Sequence, residues 1–371
     1  MSAYQLQRVA RLAPLSQVQA YLQSIAPIAP RSIDLQSAAG RVLAADAVVP
    51  QPVPAASVAL RDGWAVRAET IGDASPYAPL PLAPPPPWVE AGDPLPHPAD
   101  AVLGPDDVTL SSSGAEAVAS AVAGGDVLAP GEDASFGCVL RHAAEQLRAV
   151  DVAVLRAAGI ARIAVRQPRV RIVPADPSRG PADDLVSPLI ARAVEAAGGV
   201  AALERGRSLD EAFTADNADA VLVIGGTGMG RRDASVRILA EVGTVDMHGL
   251  GIRPGETAAL GHVGERRVLL LPGRIDAALA IWLTVGHALM LRLAGGIAAD
   301  ASRPAVLARK IVSTVGLAEV VLVGHLEAGI EPLASRYFPI QALARAAGWV
   351  LVAPELEGYP PGATVRMHPL P

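Results

Sequence analysis

The stretch VLVIGGTGMGRRD, Val221 to Asp233, carries four apolar residues straight into a loop with glycines at 225, 226, 228 and 230. Two arginines and an aspartate follow. A continuous apolar run closed by glycine reads as a strand buried on both faces. The glycines let backbone N–H groups approach a ligand, and the helical pattern ASVRILAEVG behind them offers its N-terminus to an anion. The loop is not a common nucleotide motif: it lacks the lysine and hydroxyl of GxxxxGK[ST], and its glycines do not fall as GxGxxG. The glycines alone fit a tight strand-to-helix turn, with Asp233 merely capping the helix, equally well.

The same texture extends outward. RVRIV (169–173), ADAVLVI (218–224) and RRVLLLPG (266–273) alternate with the helical patterns SPLIARAVEAAGG, ASVRILAEVG and DAALAIWLTVGHALMLRLAG. Apolar strands alternating with helices predict a parallel sheet covered on both faces, an α/β domain over about 168–296. In such sheets ligands bind beyond the carboxyl ends of the strands. A second glycine turn, PGRID after RRVLLL, falls at the same end.

Farther out the patterns shorten. Residues 75–100 hold ten prolines, which no helix or central strand accepts. Flanked by WAVRA, DAVLG, DVTL and EAVASAV, they predict a small, proline-stiffened β lobe over 48–131. Residues 16–25, behind a candidate Ser16 cap, and RHAAEQLRAVDVAVLRAAGI (141–160) have helical rhythm. They suggest a helical linking domain made of 1–47 and 132–167. EVVLVGHL, IEPLAS, GWVLVAPE and ATVRMHPL predict a mostly β C-terminal domain, 303–371. The fold class expected is therefore multidomain, α/β plus β.

Composition narrows the function. With 371 residues, several domains are the natural expectation. Aromatics make up 3% and the net charge is −6, which argues against nucleic acid as a partner, because that needs a basic footprint and stacking platforms. The single Cys138 builds neither a disulfide framework nor a cysteine zinc site. The N-terminus has no apolar signal-peptide core. The uncharged stretch Ala277–Leu291, 15 residues, is shorter than the roughly 20 needed to span a bilayer. A cytoplasmic protein without a membrane span is expected.

The residues of the loop say more than its glycines do. GGTG-x-x-x-RD (Gly225, Gly226, Thr227, Gly228, Arg232, Asp233) resembles the molybdopterin-binding domain shared by MogA-type adenylyltransferases and MoeA-type molybdenumtransferases, in the form nearer to MogA. The rest of the chain resembles the MoeA family and the corresponding domain of gephyrin. GRVLAADAVVPQPVP with RDGWAVRA, GDPLPHPADAVLGPDDV, PGEDASFGCVL, GIRPGETAALG, LLLPG and the closing LASRYFPIQALARAAGWVLVAPELEGYPPGATVRM follow in the family's order. The resemblance implies an elongated four-part protomer, usually a homodimer with a shared cleft. It implies insertion of molybdate into adenylylated molybdopterin with release of AMP, assisted by Mg2+.

Carried over residue by residue, it implies that Asp133 and Asp233 are catalytic and that Asp233 also meets the metal. Gly225, Gly226, Thr227, Gly228, Gly230, Arg232, Arg253, Pro254, Gly255, Pro272 and Gly273 would bind the pterin substrate. A MogA-type adenylyltransferase or a molybdoenzyme is a candidate partner. Several positions depart from the pattern. Ser57 stands where the family has an aspartate, and Pro174-Ala175-Asp176-Pro177-Ser178 where it has Ser-Thr-Gly-Asp-Glu. Glu256 stands where the family has a lysine, and Arg274-Ile275 follow Pro272-Gly273 in place of Asn-Pro. Arginines 231, 253 and 274 either rebuild the lost positive charge or are solvated surface residues. These departures leave a second functional reading: a non-catalytic protein that binds or delivers molybdopterin or the finished cofactor.

Overall fold

The computed structural model describes residues 7–112, 114–176, 178, 180, 182–297 and 300–371. Pro177 lies outside the described residues. Six strands form the largest sheet: β1 (Arg169–Pro174), β2 (Val200–Leu203), β3 (Ala220–Ile224), β4 (Thr244–His248), β5 (Ala259–Val263) and β6 (Arg266–Leu271). Their spatial order is β2-β1-β3-β6-β5-β4. The first four are parallel. β5 and β4 add an antiparallel edge, so the sheet is mixed where the sequence pattern predicts a parallel one. The cause is local: Val263 pairs with Arg266, a two-residue hairpin at Gly264–Glu265 with no helix between the strands.

Alternation within β3 shows why the sheet is covered twice. Ala220, Leu222 and Ile224 join a core with Ile190, Val285 and Leu289, whereas Val221 and Val223 join one with Phe213, Val236 and Leu239. Successive side chains of a strand point to opposite faces, so helices are needed on both. They are supplied by α1 (Val186–Ala196), α2 (Leu209–Thr214), α3 (Ser235–Val242) and the helical stretch Ile275–Ala294, which contains a π turn at Trp282–Gly286. Among the described residues Ile275–Ala294 is the one helix apolar and long enough to cross a membrane by composition. It is 67% buried within the protein, as a core helix is. Charges are buried inside this unit as well, Arg171, Asp184 and Asp276 among them. Arg171 of β1 is 4% exposed, and it is satisfied by Glu204 and by the carbonyls of Ala212, Ala215 and Asp216, as a buried guanidinium requires.

The remaining segments form several smaller sheets. Residues 7–13 run beside β4's end, where Ala13 N–H donates to Gly249 O (2.8 Å) and Gly251 N–H to Ala13 O (2.7 Å). Helix Leu15–Gln23 begins behind Pro14 with no side-chain cap, so Ser16 lies inside it and does not cap it. Strands Arg31–Asp34, Arg162–Arg166 and Val42–Leu43 form a small sheet. The stretch 141–160 is helical only over Ala149–Ala157. Val139–Arg141 is a strand paired with Ala47–Val48, and the helix starts where Asp151 accepts from the Arg148 N–H and guanidinium. The described strands between 58 and 128 are short, and Trp64 meets Trp88 edge to face at 5.1 Å. Near the C-terminus, Ala318–Leu326 pairs with Gly329–Ala334 and Gly348–Val352. It also pairs in parallel with Ile252–Arg253. This last pairing ties the 252–257 loop of the α/β unit to the C-terminal sheet.

Candidate functional site

β1, β3 and β6 end side by side: Pro174 is in register with Ile224, and Ile224 with Leu271. Beyond these carboxyl ends lies a cleft of about 1030 Å³, lined by residues 174–176, 178, 224–228, 231–233, 257 and 272–274. The two glycine turns touch across it. Gly225 N–H donates to Leu271 O at 2.8 Å, and a side chain built on Gly225 would lie 3.6 Å from Gly273 Cα. Gly226 has φ +70°. A β-carbon there would lie 2.2 Å from Ser235 Oγ, whose hydroxyl instead donates to Gly225 O (2.9 Å). Only glycine fits that corner.

The loop's backbone groups divide into two sets. Its carbonyls are occupied: Gln7 Nε2 donates to Gly226 O (2.7 Å) and Gly228 O (2.6 Å), and His248 Nε2 lies 3.1 Å from Thr227 O. Its N–H groups are not. Among the described residues, the N–H groups of Gly226, Thr227, Gly228 and Met229 donate to no protein acceptor, although Thr227 is 2% exposed. Unpaired N–H groups at a buried position are rare in folded proteins, and successive ones form a nest that attracts an anion. Thr227 Oγ1 meets Thr257 Oγ1 at 3.0 Å.

Asp233 does not cap α3, whose N-cap is Ala234 with no side-chain bond. Its Oδ2 accepts from Gly230 N–H (2.7 Å), closing the loop on itself. Asp176 accepts from Ser178 N–H and Oγ. Of the three arginines, Arg253 is bonded to Glu256 (2.6 Å). Arg274 is bonded to Asp276 through Nε (3.1 Å) and Nη2 and lies 5.0 Å from the Tyr337 ring centroid. The hydrogen bonding to Asp276 raises its pKa further, so it is fixed as a cation. Arg231 and Arg232 are exposed in the cleft with no carboxylate partner among the described residues.

The chain therefore brings together Gly225, Gly226, Thr227, Gly228, Arg232, Asp233, Pro272 and Gly273 around one cleft. Gly230 shapes the loop from behind. Arg253, Pro254 and Gly255 are outside the lining, which their loop enters only through Thr257. Asp133 is elsewhere within one chain: exposed on a turn whose N–H donates to Val53 O (3.0 Å). Ser57 is also outside the cleft lining, its carbonyl accepting from Leu95 N–H. Sequence reasoning missed Gln7, His248 and Thr257. No local pattern marks them, because each acts on a loop at least 20 positions away.

No group of three or more His, Cys, Asp or Glu side chains able to hold a metal occurs among the described residues. Magnesium asks for less: one or two carboxylates, with phosphate and water oxygens completing its shell. Asp176 and Asp233, both on the cleft wall, are donors of that kind.

The MoeA N-terminal region (domain I and II) matches residues 13–159, and the probable molybdopterin binding domain matches residues 179–291. The chain is 28% identical over 152 residues to a Methanocaldococcus jannaschii chain named for molybdopterin biosynthesis, covering 40% of this chain and 36% of that one. It is 25% identical over 296 residues to the molybdopterin molybdenumtransferase of Haemophilus influenzae, covering 71% and 72%. It thus spans about a third of the first relative and about seven tenths of the second. The crystal structure of a molybdopterin biosynthesis moeA protein from Pyrococcus horikoshii has the same fold, with TM-score 0.77 over 97% of this chain and 99% of that one at 24% identity. With the MoeA N-terminal region and the molybdopterin binding domain following one another in a single chain of this fold, the protein belongs to the MoeA-type family.

Proposed function

We propose that this protein works in molybdenum cofactor biosynthesis, inserting molybdenum from molybdate into adenylylated molybdopterin and releasing AMP. The observation that carries the reading is the run of unpaired N–H groups at Gly226, Thr227 and Gly228 on the cleft wall. Such groups suit a phosphate or diphosphate oxygen and need no reorganisation to receive it. Arg231 and Arg232 add positive charge at the rim, and the cleft volume suits a ligand larger than inorganic phosphate. Asp176 and Asp233 would hold Mg2+ against the diphosphate, where the ion would offset charge on the leaving AMP. Asp133, away from this cleft in its own chain, would serve the cleft of a second copy in a homodimer.

Titration with adenylyl-molybdopterin, then molybdate and magnesium, with AMP recorded, tests the reading. Binding followed by molybdate-dependent AMP release is expected. A second reading, a protein that binds or delivers the pterin without insertion, is favoured by the neutralisation of Arg253 by Glu256. Binding without AMP release would establish it.

A further inference from the structure

Peptide groups are planar and trans, so the N–H of one residue points opposite to the carbonyl of the residue before it. In the glycine loop, the carbonyls of Gly226, Thr227 and Gly228 accept from or meet Gln7, His248 and Gln7 in turn, and that of Gly226 also accepts from Ser235 N–H (3.1 Å). The N–H groups belonging to the same three peptide units are those of Thr227, Gly228 and Met229, and all three lack a protein acceptor among the described residues. The two holding residues come from one side. The segment carrying Gln7 packs on the residue following His248: a β-carbon on Gly249 would lie 2.4 Å from Val9 Cγ1 and 2.8 Å from Arg11 O. The amide of Gln7 makes no other polar contact, since its Oε1 is buried without a donor among the described residues.

We propose that Gln7 and His248 are positioning residues that aim the loop's free N–H groups, so that docking of the arm 7–13 and occupancy of the cleft by a phosphate group reinforce each other. The inference rests on the phosphate-binding role given to the cleft above. Gln7 supplies both hydrogens of one amide to two carbonyls, which fixes the loop's conformation before a ligand arrives. A loop so fixed binds an anion without a further loss of conformational freedom. Coupling of this kind is reciprocal: if the docked arm strengthens binding, the bound anion must hold the arm down by the same factor.

Inorganic pyrophosphate is the probe. Its affinity is measured by calorimetry for the full chain and for Gln7→Met, which keeps side-chain length but has no N–H. A loss of about fivefold or more is expected, the worth of one or two hydrogen bonds. Trypsin cleavage at the exposed Arg8 and Arg11 is then timed on the unmodified chain with and without pyrophosphate. Slowing by a similar factor is expected, and this readout needs no variant to fold. A merely structural Gln7 would change the melting temperature without linking cleavage rate to ligand. Pyrophosphate binding that is equal in both chains, with cleavage unaffected, overturns the inference alone. If the unmodified chain binds no pyrophosphate, the phosphate-binding role of the cleft falls, and the inference falls with it.

Discussion

Arg253 Nε lies 2.6 Å from Glu256 Oε1, and the second carboxylate oxygen of Glu256 accepts from Gly255 N–H at 3.1 Å. The glutamate that stands where the resemblance has a lysine thus removes one positive charge and occupies another. This pair explains why the loop 253–257 reaches the cleft through a hydroxyl, Thr257, and not through a cation.

Glu256→Gln should therefore free Arg253. The pair is partly exposed, with 27% and 34% of the two side chains accessible, so the effect is moderate. Pyrophosphate should bind about threefold to tenfold more tightly, with a steeper dependence on salt. Adding Arg253→Ala should cancel the gain. Calorimetry at two ionic strengths reads both, and no change on Glu256→Gln would mean that Arg253 faces away from the ligand.

Asp233 holds the loop through Gly230 N–H and is the candidate metal ligand. The two roles separate by substitution. Asp233→Asn keeps a carbonyl oxygen for Gly230, so metal-free pyrophosphate binding should stay within about twofold while the increment produced by magnesium is lost. Asp233→Ala should lose both. If Asp233→Asn responds to magnesium like the unmodified chain, the ion is held by other groups.

Gly226→Ala places a methyl against Ser235 Oγ in a left-handed backbone conformation. Strain and steric overlap together should cost about 2–4 kcal/mol. Thermal unfolding should shift down and pyrophosphate binding should vanish, whereas Gly264→Ala, at a hairpin away from the cleft with open space around it, should spare binding.

Tyr21 fastens helix Leu15–Gln23 to the antiparallel edge of the sheet, its hydroxyl donating to Asp246 Oδ2 at 2.8 Å. Burial, then the bond to Asp246, pushes its pKa from 10.0 up to about 12. A raised folded pKa means the protonated phenol favours the folded chain. Its contribution is complete below pH 10 and disappears as pH rises toward 12. Tyr21→Phe should flatten the fall of melting temperature over that window, and an unchanged slope would show that the alkaline loss arises elsewhere.

Local structure is legible in the residues. The apolar run Ala220–Ile224 and the glycines behind it mark a buried strand and its turn because burial on both faces and a positive φ each demand particular residues at particular places. The mixed order of the sheet is not legible in the same way, since β5 and β6 have the composition of any apolar strands and only the two-residue turn at Gly264–Glu265 leaves no room for a helix. Which polar partners meet at the cleft is set by the fold. Gln7 reaches Gly228 across 221 positions, and Arg274 lies against the ring of Tyr337 from the C-terminal sheet region. Hydrogen bonds and ion pairs depend on positions in space that no spacing along the chain encodes. Glycine and apolar patterns therefore located the loop, and packing alone shows which carbonyls are occupied and which N–H groups are left free.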